Sequence, residues 1–199
     1  MQTKDYIQDI DGAERRFLTS QMEVRAEGDE EYFEGVGVTF GAIADLGWFT
    51  EEIAPGAFDE VKNDDVRGLF NHDPDMILGR SKSGTMQLFI DQKEVRYKIR
   101  YNPKDPDHVR VMEKVKRGDV SQSSFSFKVK DDKWETRDGK DHRTVTKLKR
   151  WFDVAPVTYP AYEDTSVAAR SFKEVQKPDH KKDLAEMDLD AMKRDLKIK

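Results

Sequence analysis

Residues 118–129 read GDVSQSSFSFKV, a serine-rich stretch near the middle of the 199-residue chain. Alternate side chains of an extended strand point to opposite faces, so Phe125 and Phe127 share one face and Ser124 lies on the other. The two rings favour burial of their face. The opposite face then presents the Ser124 hydroxyl outward from a fixed strand, as a nucleophile requires. The same pattern is also typical of a half-buried strand without any chemical role.

The segment before this strand predicts a helix. Asp105 is suited to cap its first turn, and Pro106 fits the first helical position. Apolar residues recur at helical spacing as far as Val115, and Gly118 is a natural stop. The helix should therefore lead directly into the serine-rich strand.

A histidine follows another predicted strand, at residues 66–70. His72 precedes an Asp73-Pro74 step, where the chain has to turn. An imidazole at a strand end beside a loop should be partly exposed, so it can titrate near neutrality and act as a general base. The alternative is a turn residue without a catalytic role. A metal site of His72, Asp73 and Asp75 is a further interpretation, but one histidine with two carboxylates is too sparse for a structural site.

A carboxylate interrupts the apolar run at residues 151–154. Asp153 must find a polar partner there, because an isolated buried charge is costly. Orienting an imidazole would supply that partner, and an ion pair with an arginine would do so equally well. Glu51 and Glu52 are further candidate carboxylates.

Most other segments alternate as β-strands do. We predict hairpins at residues 21–44 and 81–101, and a charged hairpin loop at residues 130–143 around Asp138-Gly139. Between them, Pro55 and Gly56 precede a short amphipathic turn at residues 58–61 that should dock Phe58 inward. The expected fold is mainly β with a few helices.

Composition excludes several kinds of site. The absence of cysteine excludes disulfides, thiolate zinc sites and a cysteine nucleophile. There is no apolar run of roughly 18 residues and no signal-peptide pattern, so we expect no membrane span and no export. With 38% charged residues and a net charge of −5 from intermixed signs, the chain is not typical of a dedicated nucleic-acid binder.

Six short motifs follow one another in the sequence: IAPGAF at 53–58, FNHD at 70–73 with ILGR at 77–80, GTM at 84–86, KRGD at 116–119, SFSF at 124–127 and VTYPAY at 157–162. In this order they resemble the HK97-type prohead (capsid maturation) protease family of tailed bacteriophages. The resemblance gives a protease domain at residues 15–172. Composition adds a flexible arm at 1–14 and a charged, detachable tail at 173–199.

The resemblance implies a fold related to the herpesvirus maturation proteases, which is a closed antiparallel β-barrel surrounded by helices. It puts His72 in the place of the general base and Ser124 in that of the nucleophile. Asp153 takes the place of the third member, with Glu51 and Glu52 as fallbacks.

Two residues depart from the family pattern. Ser123 stands where the family commonly has methionine, which makes it a rival nucleophile, although it falls on the phenylalanine face. Ser126 stands where the family has glycine, which could narrow the room for substrate or weaken oxyanion stabilisation. Arg80 and the loop around it are candidate oxyanion donors.

The implied function is a serine endopeptidase that cleaves the scaffolding region of the phage major capsid protein, and itself, inside the procapsid. The implied partners are the capsid protein, the portal and a second copy of the chain, with no membrane, nucleic acid, cofactor or metal. The expected location is the host cytoplasm, within the procapsid. The alternative is a non-catalytic scaffolding or shell-binding protein that keeps the barrel. The departure from the family pattern at Ser126 leaves this alternative open.

Overall fold

The computed structural model describes residues 13–28 and 30–159, and these residues are mainly β-strand. They form ten strands and one helix, in the order β1 (Glu14–Glu27), β2 (Glu30–Thr39), β3 (Ala44–Asp45), β4 (Phe49–Ile53), β5 (Arg67–Phe70), β6 (Asp73–Arg80), β7 (Met86–Ile90), β8 (Glu94–Arg100), α1 (Pro106–Lys116), β9 (Gln122–Arg137) and β10 (Lys140–Val157). The predicted tail and nearly all of the predicted arm lie outside the described residues.

The predicted helix and hairpins are confirmed. Asp105 caps α1 by accepting a hydrogen bond from the Asp107 N–H at 2.9 Å, and Pro106 opens the helix. Gly118 follows α1 with a φ of 81°, in the left-handed region that glycine tolerates. The β1–β2 and β7–β8 pairs are antiparallel hairpins, and β9 and β10 form a long hairpin. The loop predicted at residues 130–143 is wrong in extent, because both strands continue through it and the turn occupies only residues 138–139.

The expected closed barrel surrounded by helices is wrong. The main sheet runs β3-β4-β10-β9-β1-β2-β8-β7, and its two ends are edges that do not pair with each other. A barrel requires the first and last strands to pair. Within the described residues α1 is the only helix, so nothing there forms a surrounding helical layer.

The reason lies in the length of β10. Its residues 141–145 pair in parallel with β4, and residues 153–154 of the same edge pair in parallel with β5. The sheet therefore branches at this edge, where β5 and its partner β6 leave the main path. The two parallel pairings also show that the sheet is mixed and not wholly antiparallel.

The serine-rich strand lies inside the sheet. One edge of β9 pairs with β10 and the other pairs with β1. The predicted burial of Phe125 and Phe127 is confirmed, and their rings stack with centroids 4.8 Å apart. Phe58 packs inward as predicted, against Trp151 at 4.9 Å.

The prediction that the opposite face of β9 is outward is wrong. Ser124 is 1% exposed and Ser126 is fully buried. The turn between β5 and β6, which carries His72, lies against this face, since the imidazole contacts Ser124. At residues 123–127, β9 is thus enclosed on both sides.

Candidate active site

Three side chains from distant parts of the sequence are joined by hydrogen bonds. His72 Nε2 lies 2.7 Å from Ser124 Oγ, and His72 Nδ1 lies 2.5 Å from Asp153 Oδ1. All three residues are buried, so the expectation that His72 is partly exposed is wrong. The structure therefore brings together the serine, histidine and aspartate that the sequence singled out.

The sheet explains why these residues meet. On one edge of β10, Asp153 pairs with Ser126 of β9, and Ala155 pairs with Ser124. On the other edge, Asp153 pairs with Arg67 of β5. Because β5 ends at Phe70, the chain reaches His72 beside the two strands that carry the serine and the aspartate.

The partners of His72 fix which nitrogen carries the proton. A carboxylate can only accept, so Nδ1–H donates to Asp153 and Nε2 is left as an acceptor that faces the Ser124 hydroxyl. This arrangement allows the imidazole to remove the serine proton while the carboxylate holds the ring in place.

Ser124 has a second hydrogen-bond partner. Its hydroxyl also lies 2.9 Å from the backbone carbonyl oxygen of Arg16, to which it can donate. Arg16 belongs to β1, where the neighbouring Phe17 is the cross-strand partner of Ser124. The chain's own first strand therefore covers the serine.

A buried ionic cluster holds this part of β1 in place. We use this name for Glu14, Arg16, Glu51 and Arg143, each at most 7% exposed. Arg16 donates to Glu51 at 2.5 Å and to Glu14 at 2.6 Å. Arg143 donates to Glu14 at 2.7 Å and to Glu51 at 3.1 Å. The cluster thus links β1 to β4 and β10.

The electrostatics of the cluster favour its charged state. Burial by itself would raise the pKa of Glu14, but the adjacent guanidiniums of Arg16 and Arg143 outweigh it and keep that pKa below its ordinary value. Burial would likewise lower the pKa of Arg16, and the carboxylates of Glu51 and Glu14 raise it instead. Both groups are therefore charged at neutral pH.

The two fallback carboxylates have other partners. Glu51 belongs to the ionic cluster. Glu52 accepts hydrogen bonds from Thr144 at 3.0 Å and Arg137 at 3.2 Å. Asp153 is thus the acidic residue that contacts His72.

The candidate oxyanion donor Arg80 forms hydrogen bonds with residues next to the β5–β6 pair. Its guanidinium donates to Asp65 at 2.5 and 2.7 Å, and its backbone N–H donates to Thr85 Oγ1 at 3.0 Å. The hydrogen bonds from Arg80 hold the pKa of Asp65 at about 2. Among the described residues, these contacts direct Arg80 at Asp65 and Thr85, and no hydrogen bond joins it to Ser124.

The two neighbouring serines differ from Ser124 in their surroundings. Ser123 is fully buried on the phenylalanine face and shares a hydrogen bond with the Tyr97 hydroxyl. Burial raises the pKa of Tyr97 well above its ordinary range, so the phenol stays protonated. Ser126 is also fully buried, and its hydroxyl has no hydrogen-bond partner among the described residues.

The ionic cluster was not anticipated from the sequence, although a signal existed. Glu14 and Arg16 are two residues apart, so they share a face in a strand, where opposite charges can pair with each other. The predicted arm covers residues 1–14 and the first predicted hairpin begins at residue 21, so the start of β1 at Glu14 is not expected from the sequence.

Two further observations concern the described residues. No helix there has the length and hydrophobicity that a membrane crossing needs. No three histidine, aspartate or glutamate side chains in that part of the chain are grouped so as to hold a metal ion.

Comparison with known proteins gives one match. A family model described as caudovirus prohead serine protease matches residues 20–178, which include all three residues of the hydrogen-bonded chain. No curated protein and no solved structure matches the sequence. The matched range begins after Arg16, so the contact between Arg16 and Ser124 lies partly outside it.

Proposed function

Because this chain belongs to the caudovirus prohead serine protease family, we propose that Ser124, His72 and Asp153 are its catalytic triad. The observation that carries the proposal is the continuous chain of hydrogen bonds from the Ser124 hydroxyl through the imidazole to the Asp153 carboxylate, at 2.7 and 2.5 Å. Residue types and contacts match the roles of nucleophile, general base and orienting acid.

The reaction follows from these contacts. His72 Nε2 takes the Ser124 proton as Oγ attacks a peptide carbonyl, and the resulting imidazolium is stabilised by Asp153. Collapse of the tetrahedral intermediate breaks the peptide bond, and Nε2 returns the proton to the leaving amine. Water then attacks the acyl-enzyme ester with the same base, which frees the new carboxyl group and restores Ser124.

The proposed substrates are the scaffolding region of the phage major capsid protein and the chain itself, within the procapsid. The family description, prohead serine protease, supports a capsid substrate. The family match at 20–178 supports a protease domain at about residues 15–172. The charged segment at 173–199 is proposed to be either a packaging signal or a target of self-cleavage.

Access to Ser124 requires a local rearrangement. With the side chain 1% exposed and its hydroxyl against the Arg16 carbonyl, a substrate carbonyl cannot reach Oγ. The part of β1 that contains Arg16 must move aside first. The arrangement described here is therefore the closed form of the proposed enzyme.

The same closure favours a second candidate function. A non-catalytic scaffolding or shell-binding protein would have no need to admit a substrate, and both Ser124 and Ser126 are enclosed. This candidate predicts that no variant of Ser124 affects capsid processing.

A pair of serine variants tests the proposal. The chain is co-expressed with its cognate capsid protein, and cleavage is followed by mass spectrometry. Ser124→Ala should fold normally and lose cleavage by at least about 10²–10⁴-fold, because the nucleophile is gone. Ser123→Ala changes the adjacent residue on the opposite face and should still cleave.

Persistent capsid cleavage by purified Ser124→Ala would refute the assignment of the nucleophile. Absence of processing by the wild-type chain, in assembled procapsids that contain it, would favour the non-catalytic function.

A further inference from the structure

The residue before His72 is exposed, yet several hydrogen bonds fix it. Asn71 Oδ1 accepts from the Thr158 N–H at 2.9 Å and from the Thr158 hydroxyl at 3.2 Å. The Asn71 backbone N–H donates to the Pro156 carbonyl at 3.0 Å. Asn71 therefore binds the turn between β5 and β6 to the end of β10.

The backbone of this turn is unusual. Asn71 and His72 have φ angles of 55° and 57°, so two consecutive residues other than glycine occupy the left-handed region. This conformation is costly for most side chains and persists only where surrounding contacts impose it. Asparagine is one of the residues that tolerates it best, and it also supplies the acceptor that Thr158 uses.

We propose that Asn71 is a positioning residue for the base, which keeps His72 Nε2 directed at Ser124 by clamping the turn to the end of β10. The inference rests on the proposed function. The same strand carries Asp153 a short distance before Pro156, so one clamp sets the position of the imidazole relative to both its partners. A misplacement of about 1 Å at such a site can lower the rate about 100-fold.

Two substitutions at Asn71 separate the role of its side-chain acceptor, Oδ1, from that of its left-handed backbone conformation. Asn71→Gly adopts a positive φ without steric cost but removes Oδ1. Asn71→Asp keeps an acceptor for Thr158 and tolerates the left-handed region. Asn102→Ala is the matched control, because Asn102 also accepts a backbone N–H, from Lys104, in a loop that carries none of the three proposed catalytic residues.

Two readouts are measured on the full-length chain. With a peptide substrate derived from the capsid protein, Asn71→Gly should lower kcat about 100-fold with little change in KM. Asn71→Asp should stay within a few fold of wild type, as should Asn102→Ala. In proton NMR spectra, the His72 Nδ1 proton that is bonded to Asp153 should be seen in wild type and in Asn71→Asp. In Asn71→Gly it should broaden or shift.

The two readouts distinguish the two proposals. If the wild-type chain cleaves and Asn71→Gly matches it in kcat, the positioning role is overturned and the triad stands. If the wild-type chain does not cleave, the NMR signal decides alone. Loss of the signal in Asn71→Gly supports the clamp, and an unchanged signal overturns it.

Discussion

The backbone carbonyl oxygen of Arg16 lies 2.9 Å from the Ser124 hydroxyl oxygen, which is within hydrogen-bonding distance. The hydroxyl has a single proton, and His72 Nε2 at 2.7 Å is its other acceptor. Donation to Arg16 leaves the imidazole without the proton that it must remove. β1 therefore opposes the proposed reaction in two ways, by covering Ser124 and by competing for its proton.

Weakening the ionic cluster should expose the serine. Glu51→Gln removes a charge that Arg16 contacts at 2.5 and 2.9 Å, so β1 should separate from β9 more often. We expect a fluorophosphonate probe to label Ser124 faster in Glu51→Gln than in wild type. Hydrogen exchange of residues 13–18, measured by mass spectrometry, should also become faster.

The neighbouring glutamate provides the control for that experiment. Glu52 lies on the other face of β4 and contacts Thr144 and Arg137, not Arg16. Glu52→Gln should leave both the labelling and the exchange unchanged. Equal labelling rates in folded Glu51→Gln and wild type would show that the cluster does not control access.

Removing the charge of the proposed orienting acid should impair the reaction severely. Asp153→Asn keeps the size of the side chain but can donate to Nδ1, which favours the wrong imidazole tautomer. We expect kcat to fall roughly 10⁴-fold while the fold is retained. Steady-state kinetics with a capsid-derived peptide would measure the loss, and a change of less than tenfold would rule out Asp153 as the third member.

The hydrogen bond between Ser123 and Tyr97 should contribute to the stability of the fold and not to catalysis. Ser123→Ala leaves the buried Tyr97 hydroxyl without this partner, which costs about 1–3 kcal/mol. In the double variant with Tyr97→Phe, the two losses should be less than additive, because neither polar group is then stranded. Urea denaturation of the four proteins gives the coupling energy, and strict additivity would contradict the contact.

Acid should loosen β1 through Glu14. Its pKa in the folded protein is below the ordinary value of 4.5, so the charged carboxylate stabilises the fold above that pH. This contribution is lost as the pH falls through the folded-state pKa. Glu14→Gln should be about 3–5 kcal/mol less stable at neutral pH, because it leaves buried arginines underpaired.

The pH dependence of the free energy of unfolding then shows the contribution of Glu14. Between neutral pH and roughly pH 3, the free energy of unfolding should fall less in Glu14→Gln than in wild type, since one titrating group has been removed. Urea denaturation at a series of pH values would check this. Parallel curves would mean that Glu14 does not stabilise the fold through its charge.

The glycine of β6 should be intolerant of a side chain. A Cβ at Gly79 would lie 2.9 Å from Ile99 Cγ2, so Gly79→Ala should destabilise the protein by about 1–3 kcal/mol. At Gly37 the nearest atom would be 3.5 Å away, an ordinary contact, so Gly37→Ala should be tolerated. Thermal unfolding of both variants measures the difference, and similar stabilities would contradict the packing around β6.

Several local features were predictable from the sequence. The cap at Asp105 and the stop at Gly118 gave the helix, because both depend on backbone conformation within a few residues. Alternation placed Phe125 and Phe127 on a buried face. Family motifs selected Ser124 and His72 from among the many serines and the four histidines.

The environment of those residues was not predictable in the same way. Alternation shows that Ser124 and Phe125 point to opposite faces, but not whether a face meets solvent. Whether the polar side of β9 is covered depends on β1 and on the turn at His72. The expectation of an outward hydroxyl was wrong for that reason.

The sequence by itself determined the helix, most of the hairpins and which side chains of a strand share a face, since these follow from periodicity and capping within a few residues. Only the tertiary structure decided that the sheet stays open and that Arg16 covers Ser124. It also decided that His72 meets partners 52 and 81 residues away. The physical reason is that pairing between distant strands depends on which edges remain available, and the long edge of β10 accepts both β4 and β5.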